Sequence, residues 1–444
     1  MMKKYRAFVP FVLIAVMLLS WYMMYDNYSG KEAKFNNYIK IARQKADVKI
    51  TSAAIENYRA ALLIKDDPDI YVEVAKYYAK IGDSRNNIKW CQEFLNKYPK
   101  NAKAYDCLLK AYMNDKNYDS CFDVLSTAKR KKVTSKYMEE TYQKIKYEYT
   151  VLFSTYEEVG SFSGGACAVK GKTRWGFINE SGTKFINMNY TEVGSFTGSG
   201  YAPVTVYDEN TKNSEAYFIN KKGQRVLATK EKYLSFGLIV DGILSAKQQN
   251  GKYVYLNENF EKLFNEEYDF ASTFNSGIAA VKKGNKWFFI DSKGKKLFDQ
   301  EYLDVKLDEK LICFRNERAF VSASVGKYMM IDTKGNQVGT EQYDDARLFL
   351  SELETVVKKG NQWFFIDKNG KNKSDETYED ARPYKNQLAA VKMNGHWGYV
   401  DTSEKIVIQP EFDDAGDFNT RGLCFIKQSS VWKPLRIYSL SKGM

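Results

Sequence analysis

The stretch YDFASTFNSGIAAVKKGNKWFFIDSKGKKL, Tyr268 to Leu297, returns as YEDARPYKNQLAAVKMNGHWGYVDTSEKIVI from Tyr378 and as YEEVGSFSGGACAVKGKTRWGFINESGTKFI from Tyr156. In each copy an alternating run such as AAVKK precedes an aromatic run such as WFFID, the patterning of short strands. A turn follows at Asp291-Ser-Lys-Gly294, and the same Asp or Asn to Gly spacing recurs at Asp332–Gly335, Asp367–Gly370, Asn179–Gly182 and Asn220–Gly223. An Asp or Asn opening a type I turn with glycine three residues on is what a tight hairpin requires. Aligning the opening aromatic residue gives eight starts, Tyr156, Tyr190, Tyr233, Tyr268, Tyr302, Tyr343, Tyr378 and Phe412. Each unit reads as four short strands: an opening tyrosine segment, the AAVKK strand, the WGFID strand and a closing KIVI strand.

This pattern resembles the WG-repeat family over residues 151–440. The resemblance is strong in units one, four, six and seven, and eroded in units two, three and five, where Tyr217, Tyr253 and Tyr328 sit near or at the tryptophan position. The eighth unit has no fourth strand of its own, whereas Val151, Leu152 and Phe153 precede the first opening tyrosine. A circular array closed by strand exchange accounts for both ends and removes exposed sheet edges, which predicts an eight-bladed β-propeller over 151–444, with an open β-solenoid as the alternative. The resemblance implies an anchored bacterial surface protein, and no common reaction.

Upstream, DIYVEVAKYYAKIGDSRNNIKWCQEFLNKYPK and NAKAYDCLLKAYMNDKNYDSCFDVLSTAKRKK follow one another with helical periodicity. They resemble tetratricopeptide repeats, with Tyr71, Val74, Ala75, Tyr78, Gly82, Phe94 and Pro99 in the first and Tyr105, Leu108, Ala111, Tyr112, Leu125 and Ala128 in the second at that family's packing positions. A weaker copy around AAIENYRAALLIKDDP and a capping helix SKYMEETYQKIKYEY complete an α-solenoid of about three helix pairs over residues 35–150. The resemblance places a ligand groove on the first helix of each pair, where Lys76, Lys80, Lys103, Lys110 and Asn114 would meet a peptide carboxylate. The family's clamps use two asparagines and only Asn114 is present, so solvated lysines are the competing reading. Cys91 and Cys121 fall on packing positions and read as core thiols.

At the N-terminus, AFVPFVLIAVMLLSWYMMY over residues 7–25 is uncharged and long enough for a transmembrane signal-anchor, preceded by a basic cytoplasmic tail over residues 1–6. The expected fold class is therefore α+β multidomain: one transmembrane helix, a helical repeat array and an all-β repeat domain. The expected localisation is the cell membrane, single-pass, with the bulk of the chain outside; a cytoplasm-facing adaptor is the alternative.

The 444 residues carry a net charge of +12, with the basic excess in the first third and a cluster at Lys129, Arg130, Lys131 and Lys132. An anionic partner fits this distribution, but no nucleic-acid reading motif accompanies it. One histidine, His396, and six cysteines without paired spacing make histidine-based metal sites and Ser/His or Cys/His catalysis hard to assemble. No cofactor and no metal are expected, and the turn aspartates supply too few oxygens for calcium. Trp175, Trp287, Trp363 and Trp397 read as packing rungs rather than sugar-stacking faces. The acid pairs Glu157-Glu158, Asp344-Asp345, Glu379-Asp380 and Asp413-Asp414 point to opposite faces of a strand and form no dyad. Cys167 and Cys424 occupy equivalent positions in units one and eight. The expected function is a non-catalytic membrane-anchored surface scaffold that binds proteins, peptides or an anionic envelope polymer, with specificity sought at the longer joins Val206–Ser214 and Lys306–Glu317. The alternative is an envelope glycan-acting enzyme using acids from separate blades.

Overall fold

The computed structural model describes residues 8–210, 212–227, 229 and 231–444, with only the backbone of residues 8–12. The chain divides into two compact units, Met1–Lys146 and Tyr147–Met444.

The first unit is helical: α1 (Phe8–Asp47), α2 (Thr51–Ile64), α3 (Pro68–Ile81), α4 (Ser84–Lys97), α5 (Ala102–Asn114), α6 (Tyr118–Arg130) and α7 (Lys136–Ile145). Its boundaries are written in capping residues. Asp67, with Pro68 in the first turn, Asp83, Asn101, Asn117 and Ser135 each accept a hydrogen bond from a backbone N–H of the first turn, satisfying donors the helix leaves free. Gly82 ends α3 in the left-handed conformation, φ 74°. Buried Trp90 donates from Nε1 to the Tyr71 carbonyl at 3.0 Å, holding α4 on α3. Ion pairs Arg59–Glu93 (2.9 Å) and Lys103–Asp69 (2.5 Å) each join residues 34 positions apart, so the stack repeats at the spacing of the sequence. Both are exposed and contribute little stability. Glu73 of α3 accepts from Arg43 of α1 (2.7 and 2.8 Å) and from Tyr58 of α2 (2.7 Å), joining three helices at one carboxylate.

The expected membrane span over residues 7–25 does not stand, and the transmembrane part of the fold class and the single-pass membrane localisation fall with it. Among the described residues no helix is long and apolar enough to cross a membrane. The helix that contains most of this stretch does not end at Tyr25. It continues unbroken through Asp26, Lys31, Glu32 and Lys34 to Asp47, so charge follows the apolar run along one continuous rod. Its far end buries Phe35, Ile39 and Ala42 as the partner of α2. The basic tail over residues 1–6 lies outside the described residues.

The second unit forms eight small antiparallel sheets among the described residues, not one continuous barrel. Each is a meander from an inner two-residue strand outward, as in Phe270–Ala271, Ile278–Lys283 and Lys286–Asp291. The fourth strand is complete in some units, such as Ile406–Phe412, and reduced elsewhere to single bridges such as Ile290 with Lys296. All eight opening aromatics are buried, from 7% exposed at Tyr156 to 1% at Phe412. Most of their backbones pair with the tryptophan position of the preceding unit, Tyr302 with Trp287, Tyr343 with Tyr328 and Tyr378 with Trp363 among them. The first does so as well: Tyr156 bridges to Trp432 of unit eight. One sheet departs from the meander. Tyr149–Val151 pairs antiparallel with Val431–Ile437, Tyr149 opposite Ile437 and Val151 opposite Leu435. The two ends of the domain thus share a sheet, and the repeat array is β-propeller-like. The core is distributed between neighbours: Tyr156, Phe162, Cys167 and Ile178 of unit one pack with Leu423 and Phe425 of unit eight.

The turn aspartates act within their own hairpins. Asp291 accepts from the N–H groups of Lys293 and Lys295, both at 2.9 Å, with Gly294 at φ 78°. The glycine after the tryptophan has a different cause. A Cβ at Gly176 would lie 2.7 Å from the Ile186 carbonyl oxygen, and at Gly398 2.5 Å from that of Ile408, where a bulged outer strand crosses closely. Units four and six carry Phe288 and Phe364 there because their outer strands touch only at bridges. Gly398→Ala should therefore destabilise the protein by about 3 kcal/mol in denaturant unfolding, since backbone and not a flexible side chain must give way.

Candidate functional site

The residue four places after each opening aromatic follows the inner strand, and its identity divides the ring. Units one, two, three, four and eight have Gly160, Gly194, Gly237, Ser272 and Gly416; units five, six and seven have Lys306, Arg347 and Arg382. Gly194 is crowded, since a Cβ there would lie 2.7 Å from the Pro203 ring and 3.0 Å from Leu238. Each cation is held in the same way. Lys306 pairs with Asp345 (2.7 Å), Arg347 with Asp380 (3.0 Å) and Arg382 with Asp414 (3.1 Å), always to the acid of the next unit. Each also lies over the ring at its own unit's tryptophan position: Lys306 at 4.2 Å from Tyr328, Arg347 at 4.7 Å from Trp363 and Arg382 at 5.4 Å from Trp397. Units five to eight are thus laced together by one contact repeated three times.

Unit five carries the insert beyond this position. Asp308 accepts from the N–H groups of Lys310 (2.8 Å) and Ile312 (3.0 Å) and from the Arg315 guanidinium (2.6 and 2.9 Å), which folds the insert into a tight loop. The loop reaches neighbours on both sides. The Leu311 carbonyl accepts from Thr273 N–H of unit four at 2.9 Å, and Glu309 accepts from the Ser161 hydroxyl of unit one. Units one and five are opposite in an eight-membered ring, so this contact crosses its axis.

Beside the loop lies a cavity of about 360 Å³, walled by units one, five, six, seven and eight. Phe162, Leu307, Leu348, Leu350 and Pro383 supply apolar wall; Lys310, Lys385, Arg382 and Asp417 supply charge. Burial, with Arg315 and Lys385 adding repulsion, lowers the Lys310 ammonium below its usual range. Burial alone would lower Arg382, but Asp417 and Asp414 more than offset it and its guanidinium is raised. The buried Arg382 Nε has no hydrogen-bond partner. Burial holds the Asp417 carboxyl above the usual carboxylate range, with Glu309 adding to the rise and Lys385, Arg382 and Arg347 opposing it.

The lysine face expected to bind a carboxylate lies in the helical unit. Lys76 and Lys80 are exposed on α3, and Lys103, Lys110 and Asn114 are exposed on α5. Lys103 is engaged by Asp69, and Lys110 lies 4.7 Å from the Tyr137 ring. Trp287, Trp363 and Trp397 are buried, at 8%, 5% and 5% exposure, between repeats. The acid pairs are split between tasks: Asp344 pairs with Lys327 and accepts from Gly360 N–H, while its neighbour Asp345 meets Lys306 at the ring. All six cysteines are free and buried; Cys167 donates to the Gly160 carbonyl and Cys424 meets the Tyr399 hydroxyl at 3.2 Å, so the two are not bridged. Among the described residues no cluster of His, Cys, Asp and Glu could hold a metal ion. Of the two longer joins, Lys306–Glu317 lines the cavity and Val206–Ser214 extends a hairpin, Tyr201–Asp208 with Asn213–Asn220. Arg347, Arg382, Lys385 and Asp417 were not singled out from the sequence. The signal was present, because three cations share one repeat position that is otherwise small.

A family model described as "WG containing repeat" matches residues 175–208, 255–287, 363–396 and 397–432, all in the C-terminal region. No curated protein matches the sequence. Among solved structures the chain is similar to the crystal structure of BamB from Moraxella catarrhalis, at 10% identity over 65% of this chain and 99% of that one, with a TM-score of 0.42. It is also similar to the crystal structure of Saccharomyces cerevisiae Sqt1, at 8% identity over 64% of this chain and 97% of that one, with a TM-score of 0.36.

Because burial raises the Asp417 carboxyl, the folded state holds that proton more tightly than the unfolded chain. The ionised group therefore costs stability, and the cost appears as pH rises through the folded-state value. Asp417→Asn should unfold at higher denaturant concentration than the unmodified protein at pH 7, and the difference should close as pH falls below the ordinary carboxylate range.

Proposed function

We propose that this chain is a non-catalytic binding scaffold whose β-repeat domain engages a protein partner at the axial cavity, with the lysine face of α3 and α5 as a second, weaker contact surface. One observation carries the reading: the cavity is walled by five of the eight units, so a single occupant touches several repeats at once. Loops converging on a rigid scaffold are where recognition concentrates. The ring acids Asp345, Asp380 and Asp414 are each occupied by a cation of the neighbouring unit, which favours a structural role for them over acid–base work. On the helical unit, Lys76, Lys80 and Asn114 are the members of the expected groove that offer donors to an acidic segment, and the tetratricopeptide likeness belongs to this part of the proposal.

A second reading has one observation in its favour. Asp417, with its raised carboxyl, and Glu309 of a different unit line the same cavity, which is the arrangement a glycan-acting enzyme would use. Glu309 is already hydrogen-bonded to Ser161, which leaves one free acid and not a working pair.

A photo-crosslinking residue at half-buried Leu350, compared with one at Val325, 91% exposed on a hairpin tip, separates these readings in the cells that make the protein. The scaffold reading expects a discrete protein adduct at Leu350 and none at Val325. Adducts at neither position, together with glycan hydrolysis that Asp417→Asn abolishes, would replace it with the enzyme reading.

A further inference from the structure

The scaffold reading leaves open which part of a partner enters the axial cavity, and the pattern of charge around it narrows the choice. Several cations of the wall already face an acid: Lys306 pairs with Asp345, Arg347 with Asp380, Arg382 with Asp414 and Arg315 with Asp308. The other charged side chains of the wall are two ammonium groups, Lys310 and Lys385, and two carboxylates, Glu309 and Asp417. The wall is therefore neutral as a whole. Lys385 and Glu309 act on both the Lys310 ammonium and the Asp417 carboxyl, so the four groups lie near one another. Among the described residues no ion pair joins any two of them, and unlike charges share one cavity without closing on each other.

A balanced wall penalises a charged occupant, which would shed its water and leave one charge without a counterpart. Ammonium groups only donate hydrogen bonds and ionised carboxylates only accept them. The group that answers both is a hydroxyl, which donates one hydrogen bond and accepts two. Phe162, Leu307, Leu348 and Pro383 line the same space, so the hydroxyl must arrive on an apolar body. A cavity of about 150 Å³ admits a benzene ring. The axial cavity, at about 360 Å³, admits an aromatic ring with the short turn of backbone that carries it, and not a long strand. Of the three side chains that dominate protein contacts, arginine brings a charge, and tryptophan has a donor but no acceptor. Tyrosine combines an uncharged apolar ring with a tip that both donates and accepts.

We propose that the axial cavity is an anchor site for one tyrosine side chain of a partner protein, its ring against Phe162, Leu348 and Pro383 and its hydroxyl between Lys385 and Asp417. This rests on the scaffold reading and names the part of the partner that enters. A phosphate on that tyrosine would bring strong negative charge to a wall with no cation to spare, so phosphorylation of the partner would close the site to it.

The test uses the full chain and a pool of random octapeptides that are acetylated, amidated and free of charged residues. Affinity selection read by mass spectrometry should enrich tyrosine at one position over phenylalanine and tryptophan. Selected peptides, measured by fluorescence anisotropy, should bind about tenfold more tightly than the same peptides with phenylalanine in that place, the size of one hydrogen bond to a charged group. Their phosphotyrosine forms should bind more weakly still. Asp417→Leu and Lys385→Met should each remove most of the preference for tyrosine and leave the phenylalanine peptides bound as before. No enrichment of tyrosine, phenylalanine forms that bind as tightly as tyrosine forms, or Asp417→Leu protein that melts normally and keeps the full preference overturns the inference. A partner trapped at Leu350 that binds equally well once the tyrosines of its trapped segment are changed to phenylalanine sinks this proposal and leaves the scaffold reading standing.

Discussion

Tyr149, Thr150 and Val151 lie antiparallel against Leu435, Arg436 and Ile437, so the last sheet of the repeat domain is built from both of its ends. This pairing lets Tyr156 bridge to Trp432 as Tyr268, Tyr302, Tyr343 and Tyr378 bridge to the units before them. It also buries Phe162 against Phe425, rings stacked at 5.9 Å, across the junction. A small sheet with unpaired edges is a liability, and an array of them is stabilised only when each is covered by its neighbour and the first by the last. Closure places unit one opposite unit five. The Ser161 to Glu309 hydrogen bond and the axial cavity exist because of it.

Within the closed ring, regularity and irregularity have separate roles. The regular features are steric and local: buried tyrosines, tryptophan rungs, turn aspartates occupied by their own backbone N–H groups, and glycines where an outer strand crosses within 3 Å of a would-be Cβ. The irregular features are the cations of units five to seven, the unit-five insert and the extended hairpin of unit two. Each ring cation is held between an aromatic face and a carboxylate, which fixes a long side chain that would otherwise lose entropy on ordering. A recognition surface assembled on such a frame is rigid before any ligand arrives, which lowers the cost of binding.

The helical unit shows how a local pattern is overruled by its continuation. Residues 7–25 read alone have the length and apolarity of a membrane span. In the folded chain Phe8 to Tyr25 belong to a helix that runs on to Asp47 and whose later turns pack Phe35, Ile39 and Ala42 against α2. The helix carries across Tyr25 because no proline stands between Asp26 and Asp47 and the single Gly30 costs only about 1 kcal/mol, so the boundary suggested by hydropathy is not a boundary of structure.

The amino-acid sequence by itself determined the repeat units, their eight opening aromatics, the hairpin turns and the ends that must meet, because strand alternation, turn chemistry and helix caps act between residues close along the chain. It also placed the unit-five insert among the segments to watch. What only the tertiary structure decided is which charges face one another. Lys306 finds Asp345 and Arg382 finds Asp414 across more than 30 positions of sequence, Ser161 finds Glu309 across 148, and Asp417 comes near enough to Lys385 and Arg382 for their charges to act on its carboxyl. Ion pairing is nondirectional along the chain and acts over a few ångströms of space. The composition of the axial cavity therefore follows from ring closure and not from any local motif.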